Sequence, residues 1–424
     1  MKLHKLLRFS FRNLFRNRRR TIITLSVAAS GFAAMAIIAG YIDFTFYGLQ
    51  ELTIRNGFTG AGGTGHIQIF SLNALQKEES YPLEFGISDY EAITKGIQTI
   101  DGVFFAMPRI EFSGLISNGE KSLSFLGMGV DAKKEADLLS FFGKDMAMKL
   151  DNSALYALQD IPNGILLGKD MAKSLNAKRG DTLMLLSTTV DGAVNAIDVT
   201  VAGTITTGFK TADRYYLLTH ISDAQRVMQT DKVSKIVAVL KDTEYTPIVI
   251  PEVSDILNRD FPSHKFAIEG WENLAEYYHA ICDLYRIIFS FVGAVVVVIV
   301  TLSCTNTMLM STMERIKEIG TLRAIGVSSK WVTAIFLLEG FLTGIGGVII
   351  GTILKYIISA IINHSWIMMP PPPGMSISYQ LQIYPATFFI PLIAIVIISS
   401  TTLSSLITLR KVRRISIVEA ITHV

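Results

Sequence analysis

Four long apolar segments constrain this chain more than any other feature. Residues 21–42, 287–313 and 388–409 contain no charged residue, and residues 331–358 contain only Glu339 and Lys355. Each segment is long enough to cross the hydrocarbon core of a bilayer, which needs about 20 helical residues. Half of all residues are hydrophobic and only 18% are charged, as is typical of membrane proteins. The sequence therefore predicts an α-helical membrane protein with four transmembrane helices.

The basic residues predict the orientation of these helices. Residues 1–20 carry eight Lys or Arg and no acid, whereas residues 43–286 hold 22 basic and 32 acidic residues, a net charge of −10 by difference. Because short loops rich in Lys and Arg stay in the cytoplasm, we expect both termini there and residues 43–286 outside. The first twenty residues alternate apolar and basic side chains, which predicts an amphipathic helix on anionic membrane lipid. Nucleic-acid binding by these charges is the weaker interpretation.

The outer segment is predicted to be an α+β extracytoplasmic domain, a βαβ-type lobe with a β-rich insertion, on helical stalks. Alternating apolar residues, helical stretches and the Asn118-Gly119 turn signal support this prediction. The predicted order begins with a cytoplasmic helix at 1–20, the first span at 21–42 and a stalk at 43–58. The outer domain follows, with the lobe at 59–130 and 231–270, the insertion at 131–230 and a second stalk at 271–286. The chain then continues with the second span at 287–313, a cytoplasmic coupling helix at 314–330, the third span at 331–358, a Pro-rich loop at 359–387, the fourth span at 388–409 and a cytoplasmic tail at 410–424.

The charged segment at 314–330 separates the second and third spans. Ile316, Ile319 and Leu322 recur at about three-residue spacing between charged residues, which predicts an amphipathic helix along the membrane surface. Gly326 is placed to end this helix, and Ser328 or Ser329 to cap the next one. On the residues alone, a surface helix without a partner and a helix that docks on another protein are equally supported.

Glu339 is the one acidic residue inside a predicted span. An unpaired carboxylate is costly in a bilayer, so a functional role is one interpretation. The other is a structural carboxyl that hydrogen-bonds a neighbouring helix, through Thr305 or Asn306 of the second span. The sequence supports the two equally.

The third span also contains small residues and a cation. Glycines at 340, 344, 347 and 351 form two small-xxx-small pairs, which predict close packing of helices. Lys355 is expected to extend its long side chain to the membrane interface.

Motifs for chemistry are weak. Gly60, Gly62 and Gly65 have the spacing of a dinucleotide fingerprint, but the expected strand and helix do not flank them. Residues 164–170 imitate a phosphate loop with one residue too few, and Asp170 stands where a Ser or Thr should bind magnesium. The seven histidines show no zinc-binding spacing, and no G-x-S-x-G nucleophile motif occurs. We expect a non-catalytic chain without a cofactor or metal of its own.

A family resemblance begins where the second span ends. Residues 314–326 read ERIKEIGTLRAIG, and an apolar span with an early Glu339-Gly340 follows. This combination resembles the signature of FtsX-like ABC transporter permeases, which include lipoprotein-releasing, macrolide-exporter and cell-division permeases. The closing RKVRRISIVEAI at 410–421 resembles the C-terminal segment of that family, with Ser416 where proline is common.

The resemblance implies partners and a location. The chain would be a membrane subunit of a bacterial inner-membrane transporter, working with a second permease subunit as a homo- or heterodimer. A separate cytoplasmic ABC ATPase would bind ATP and Mg²⁺. The coupling helix would dock on that ATPase through a set of residues that comprises Glu314, Arg315, Glu318, Gly320, Arg323 and Gly326.

The resemblance also implies a function. ATP-driven release of lipoproteins or other amphiphiles from the inner membrane is the most concrete expectation. The alternatives are macrolide-exporter-like efflux, and signalling to a cell-wall partner without transport. An extracytoplasmic adaptor or carrier is a further expected partner, but the hairpin at 188–195 is short and lacks the proline-containing hook that one type of lipoprotein-releasing permease uses to recruit its carrier.

Overall fold

The computed structural model describes residues 10–12, 18–55, 63–72, 74, 83–145, 153–370 and 378–412. The chain forms two compact units. A membrane unit comprises Met1–Phe46, Cys282–Ile367 and Leu381–Val424, and an outer unit comprises Tyr47–Ile281 and Met368–Gln380. Most of the predicted helix at 1–20, Gly60 and Gly62, most of the proline run and the tail beyond residue 412 lie outside the described residues.

Long helices occupy both ends of the chain, and strands with shorter helices lie between them. The helices are α1 (Arg18–Arg55), α2 (Tyr90–Gln98), α3 (Ala132–Asp145), α4 (Ser153–Asp160), α5 (Lys169–Ser174), α6 (Ile221–Met228), α7 (Thr246–Asp260), α8 (Trp271–Leu274), α9 (Glu276–Glu314), α10 (Ile316–Ala324), α11 (Ser329–His364) and α12 (Phe389–Val412). The strands are β1 (Ile67–Ser71), β2 (Val103–Ser117), β3 (Ser122–Val130), β4 (Gly164–Gly168), β5 (Thr182–Thr188), β6 (Val194–Ile205), β7 (Tyr216–His220), β8 (Lys235–Leu240), β9 (Phe266–Gly270), β10 (Met368–Met369) and β11 (Tyr379–Gln380).

Among the described residues, four helices, α1, α9, α11 and α12, are long and apolar enough to cross a membrane. The predicted fold class, four transmembrane helices with an α+β domain, is confirmed. The helix ends differ in detail from the predicted boundaries. Helix α1 continues through the first stalk to Arg55, and α11 extends beyond residue 358 to His364. The second stalk is not one helix, because Ala275 takes a non-helical conformation (φ −101°, ψ 46°) between α8 and α9.

Glycines bring α11 into close contact with two neighbouring helices. A Cβ atom added to Gly344 would lie 2.5 Å from Thr401 Oγ1 of α12, and one added to Gly351 would lie 2.7 Å from the backbone oxygen of Ala29 in α1. Gly340 is equally close to α12, and Gly347 to α1. The two small-xxx-small pairs therefore pack helices, as predicted, and each pair contacts a different helix.

The outer unit is built on a nine-stranded sheet in the order β3-β7-β4-β6-β5-β2-β8-β1-β9. Strand β8 lies between β1 and β2, and β1 lies between β8 and β9, with all of these pairs antiparallel. Helix α2 connects β1 to β2, and α7 connects β8 to β9. Two split βαβ units therefore interleave, which confirms the predicted βαβ-type lobe.

The structure places the boundary of the insertion differently from the prediction at residue 131. Residues 110–117 of β2 pair with β3, and β3 pairs in parallel with β7. Ile110, Phe112 and Phe125 accordingly belong to the hydrophobic core of the insertion, together with Ile165 and Val201. The core of the βαβ lobe is separate and is formed around Ile67, Ile93, Ile236, Val249 and Val253. Local alternation does not reveal a strand pairing between residues so distant in the sequence.

Candidate functional site

Helix α10, which was predicted to be the coupling helix, is separated from α9 by a single residue. Arg315 has φ −98° and ψ 11°, and it interrupts the helix between Glu314 and Ile316. Ile316 and Ile319 form the buried face of α10, and they pack with Val332, Phe336 and Leu409. The amphipathic pattern predicted from the sequence is confirmed at these two positions.

Helix α10 ends in a glycine turn. Gly326 has φ +96°, a conformation that costs glycine little. The backbone N–H of Ile325 donates to Thr321 O at 3.0 Å, and that of Gly326 donates to Arg323 O at 3.1 Å. Ser328 is the N-cap of α11, as predicted, but its backbone oxygen and not its hydroxyl accepts from Trp331 N, at 2.9 Å. The turn fixes the direction in which the chain enters α11.

Arg315 forms a buried ion pair with Glu339 of α11. Its Nη1 donates to both carboxylate oxygens at 3.2 Å, and the two side chains are 13% and 14% exposed. The guanidinium also lies 3.4 Å from Glu318 and 5.6 Å from the centre of the Phe336 ring. Removing one member of a buried pair leaves an uncompensated charge, at a cost of about 3–5 kcal/mol. The pair therefore ties the start of the coupling helix to the third span.

This ion pair corrects two sequence-based expectations. The partner of Glu339 is Arg315, whereas the structural interpretation placed it at Thr305 or Asn306. Arg315 itself was expected on the exposed docking face and is instead mostly buried. Both differences have the same cause, since the interruption at Arg315 changes the helical phase and turns this side chain towards α11.

A second ion pair ties α9 to the first span. Arg20, near the start of α1, pairs with Glu314, and the side chains are 21% and 52% exposed. Glu314 and Arg315 are consecutive residues, so the junction between α9 and α10 is linked to α1 by one pair and to α11 by the other. A role for Arg20 was not predicted from the sequence, although its position at the membrane boundary was the available signal.

A polar cavity of about 50 Å³ adjoins the two ion pairs. Arg20 and Glu339 both line it, and the rest of its wall is formed by Thr24, Thr312, Thr343 and other hydroxyl-bearing side chains together with the apolar Met308 and Phe336. A water molecule needs about 10–15 Å³ of such volume and two to four polar partners, so the cavity has room for a few waters. The end of the bundle at which the coupling helix lies therefore has a polar interior.

The other predicted docking residues have different environments. Glu314, Glu318 and Gly326 are exposed, Arg323 is partly buried, and Gly320 is buried. Two residues that the prediction does not include, Lys317 and Ile325, are also exposed, Ile325 to 75%. We define the exposed coupling surface as Lys317, Glu318, Thr321 and Ile325.

Lys355, which was expected to extend its side chain to the membrane interface, is buried, with 1% of its surface exposed. Its Nζ donates to Pro385 O at 2.9 Å and to Tyr384 O at 3.3 Å, and it lies 4.4 Å from the Tyr356 ring centre. Asn363 exchanges two hydrogen bonds with the backbone of Ile383, at 3.1 and 2.8 Å. The segment before α12 is thereby fixed to α11.

A buried polar chain in the outer unit holds the end of α1. Leu240 N donates to His66 Nδ1 at 3.0 Å, so the neutral ring carries its proton on Nε2, 3.0 Å from Thr243 Oγ1. Thr243 in turn donates to Glu51 at 3.1 Å, and Arg55 donates to Glu51 at 2.5 Å. Burial, with a smaller contribution from the charge of Arg55, lowers the pKa of His66 to about 3.

The described residues hold no group of three or more His, Cys, Asp or Glu side chains placed to bind a metal ion. Cys282 and Cys304 are both buried.

Comparison with known proteins finds relatives at low sequence identity. The chain is 22% identical over 332 residues to the lipoprotein-releasing system transmembrane protein LolC of Neisseria meningitidis, which covers 76% of each chain. It is 24% identical over 131 residues to the macrolide export ATP-binding/permease protein MacB of the same species, covering 31% of this chain and 20% of that protein. The periplasmic region of MacB from Actinobacillus actinomycetemcomitans covers 50% of this chain and 92% of its own, at 13% identity and a TM-score of 0.37.

Two family models match most of the sequence. The MacB-like periplasmic core domain matches residues 21–256, and the FtsX-like permease C-terminal domain matches residues 289–417. The chain therefore belongs to the FtsX-like ABC transporter permeases, as a multi-pass inner-membrane protein with an extracytoplasmic domain.

Proposed function

We propose that this permease couples ATP hydrolysis by a separate cytoplasmic ATPase to movement of its outer unit, and that the movement releases lipoproteins or other amphiphiles from the inner membrane. Family membership implies the ATPase and a dimeric permease. ATP and Mg²⁺ bind the ATPase in this proposal, and the chain itself performs no chemistry. The observation that carries the proposal is the junction at Glu314 and Arg315, because it links the coupling helix to two transmembrane helices.

The exposed coupling surface supports docking of the ATPase. Lys317 and Glu318 offer charges of both signs, and Ile325 offers a large exposed apolar side chain beside them. An apolar anchor surrounded by polar residues is the usual composition of a protein interface. The opposite face of α10 is occupied by packing with Val332 and Phe336, so a partner has this one face to bind.

Continuous helices support transmission of the movement. Helix α1 has 38 residues and α9 has 39, and each contributes to both units. A hydrogen-bonded helix resists bending, so a displacement at the coupling helix can reach the outer unit along either one.

The choice of substrate rests on the LolC relative, which matches along three quarters of this chain and whose name specifies lipoprotein release. The cavity beside Glu339, at about 50 Å³, suits a few waters and not such a cargo. We propose that cargo is expelled by the outer unit, into which α1 and α9 both extend. Macrolide efflux is the second candidate, because the MacB-like core model and the MacB relative favour it.

Docking is tested by co-purification of the ATPase with variants of the exposed coupling surface. Ile325→Asp and Lys317→Glu should each reduce recovery of the ATPase about tenfold or more, since a central anchor residue contributes about 2 kcal/mol or more to an interface. Lys121→Glu is the matched control, because it reverses an exposed charge in the outer unit. Equal recovery with all three variants would refute docking at this surface.

The substrate is tested in proteoliposomes that contain the permease, the ATPase and a fluorescent triacylated lipoprotein. We expect ATP-dependent release of the lipoprotein to a soluble acceptor and no ATP-dependent change in accumulation of a macrolide. The reverse result would support the macrolide-exporter function.

A further inference from the structure

We propose that Arg20 is a positioning residue for the coupling step, and that Glu339 exchanges its partner from Arg315 to Arg20 when the ATPase closes. This inference rests on the proposed function and adds a specific ion-pair exchange to it. Three observations carry it.

First, one terminal nitrogen of the Arg20 guanidinium makes no hydrogen bond to the described residues in this conformation. Arg20 pairs with Glu314 through Nη2, while its Nη1 is buried and has no hydrogen-bond partner within the described part of the chain. A buried guanidinium nitrogen without a partner is unfavourable, because it has lost water and gained nothing in return. The resting arrangement therefore leaves Arg20 with binding capacity for a second carboxylate.

Second, Arg20 and Glu339 face the same cavity. Both line the space of about 50 Å³ between α1, α9, α11 and α12. Arg315 binds the Glu339 carboxylate at 3.2 Å in this conformation. Glu339 therefore pairs with one arginine and shares a cavity with another.

Third, the cavity wall favours a cationic group. Six of its eight hydroxyl-bearing side chains donate to backbone carbonyls, at distances between 2.5 and 3.0 Å, and these residues are Thr24, Thr307, Thr312, Thr343, Ser405 and Thr408. A hydroxyl whose proton is already donated can only accept from a further partner. The wall is therefore rich in acceptors, which suits the five N–H donors of a guanidinium. A few waters in the cavity would reduce the cost of separating one pair before the next forms.

The connectivity gives the exchange a mechanical consequence. Arg315 belongs to the junction with the coupling helix, whereas Arg20 belongs to α1. When Glu339 leaves Arg315, the junction is released from α11, and when it reaches Arg20, α11 is tied to α1. The same carboxylate would therefore favour the resting state through one arginine and the ATP-bound state through the other.

The test measures distances between spin labels at Lys330, an exposed residue next to the coupling helix, in the two permeases of the assembled transporter. Nucleotide-free and ATP-trapped complexes of wild type define the two distances. Arg315→Gln should raise the population with the ATP-state distance in nucleotide-free complexes by about fivefold or more, and Arg20→Gln should lower that population in ATP-trapped complexes by a similar factor. Arg19→Gln, an exposed neighbour of Arg20, is the matched control and should change neither population.

The Glu339→Gln background separates the exchange from a general effect of charge. In that background Arg20→Gln should not lower the ATP-state population further, because the Glu314 pair is present in the resting state and the carboxylate that Arg20 gains in the ATP-bound state is gone. If Arg20→Gln does not assemble, Arg20→Lys takes its place, since one ammonium group can keep the Glu314 pair but cannot bridge two carboxylates. Shifts in the same direction for both arginine variants, or an undiminished effect of Arg20→Gln without Glu339, would overturn the proposal. Loss of ATPase binding by wild type would instead contradict the proposed function.

Discussion

At the scale of single residues, buried charges and polar groups lie where separate segments of the chain are held together. His66 is one of them, and its neutral form is required because Nδ1 accepts from Leu240 N and Nε2 faces Thr243. Burial, then the charge of Arg55, lowers its pKa to about 3, below the usual value of about 6.5. Below pH 6.5 the unfolded chain binds a proton at this position that the folded chain does not bind.

The sign of this shift makes the outer unit sensitive to acid. Its unfolding free energy should fall by up to about 1.4 kcal/mol for each pH unit between 6.5 and 3, and the contribution of His66 is fully present above 6.5. Denaturant unfolding at pH 7.5 and pH 5, followed by Trp271 fluorescence with Trp331 and Trp366 replaced by Phe, measures the dependence. The His66→Gln variant should show a weaker pH dependence of the unfolding free energy, and the His264→Gln variant should show the same pH dependence as wild type. An equal pH dependence in wild type and the His66 variant would contradict the assignment.

At the scale of elements, the glycines of α11 set its distance from α1 and α12. Gly351→Ala should lower stability by about 1–3 kcal/mol, because the added Cβ would lie 2.7 Å from a backbone oxygen of α1 that cannot move alone. Gly346→Ala is the matched control, since its Cβ would meet only the end of the flexible Leu25 side chain, at 2.8 Å. Both changes raise helix propensity by about 1 kcal/mol, so thermal unfolding in detergent isolates the effect of packing. Equal melting temperatures of the Gly351→Ala and Gly346→Ala variants would show that α1 and α11 can move apart at Gly351 without loss of stability.

The same scale shows how far the sequence predicts this molecule. Long apolar runs predicted four spans, and alternation predicted strands in the outer segment, because both patterns are local. The coupling helix was found for the same reason. The partner of Glu339 was not predicted, because one non-helical residue at Arg315 changes the phase of everything after it. The boundary of the insertion was displaced because the parallel pairing of β3 with β7 joins distant segments.

At the scale of the whole molecule, coupling requires that events at the coupling helix change the arrangement of the outer unit. The most direct measurement places spin labels at Glu276, an exposed residue at the start of α9, in both permeases of the transporter, with Cys282 and Cys304 replaced by alanine. Labels at Lys330 report closure of the coupling helices in a parallel sample. We expect both distances to shift together between nucleotide-free and ATP-trapped complexes. A shift at Lys330 with an unchanged distance at Glu276 would contradict transmission to the outer unit.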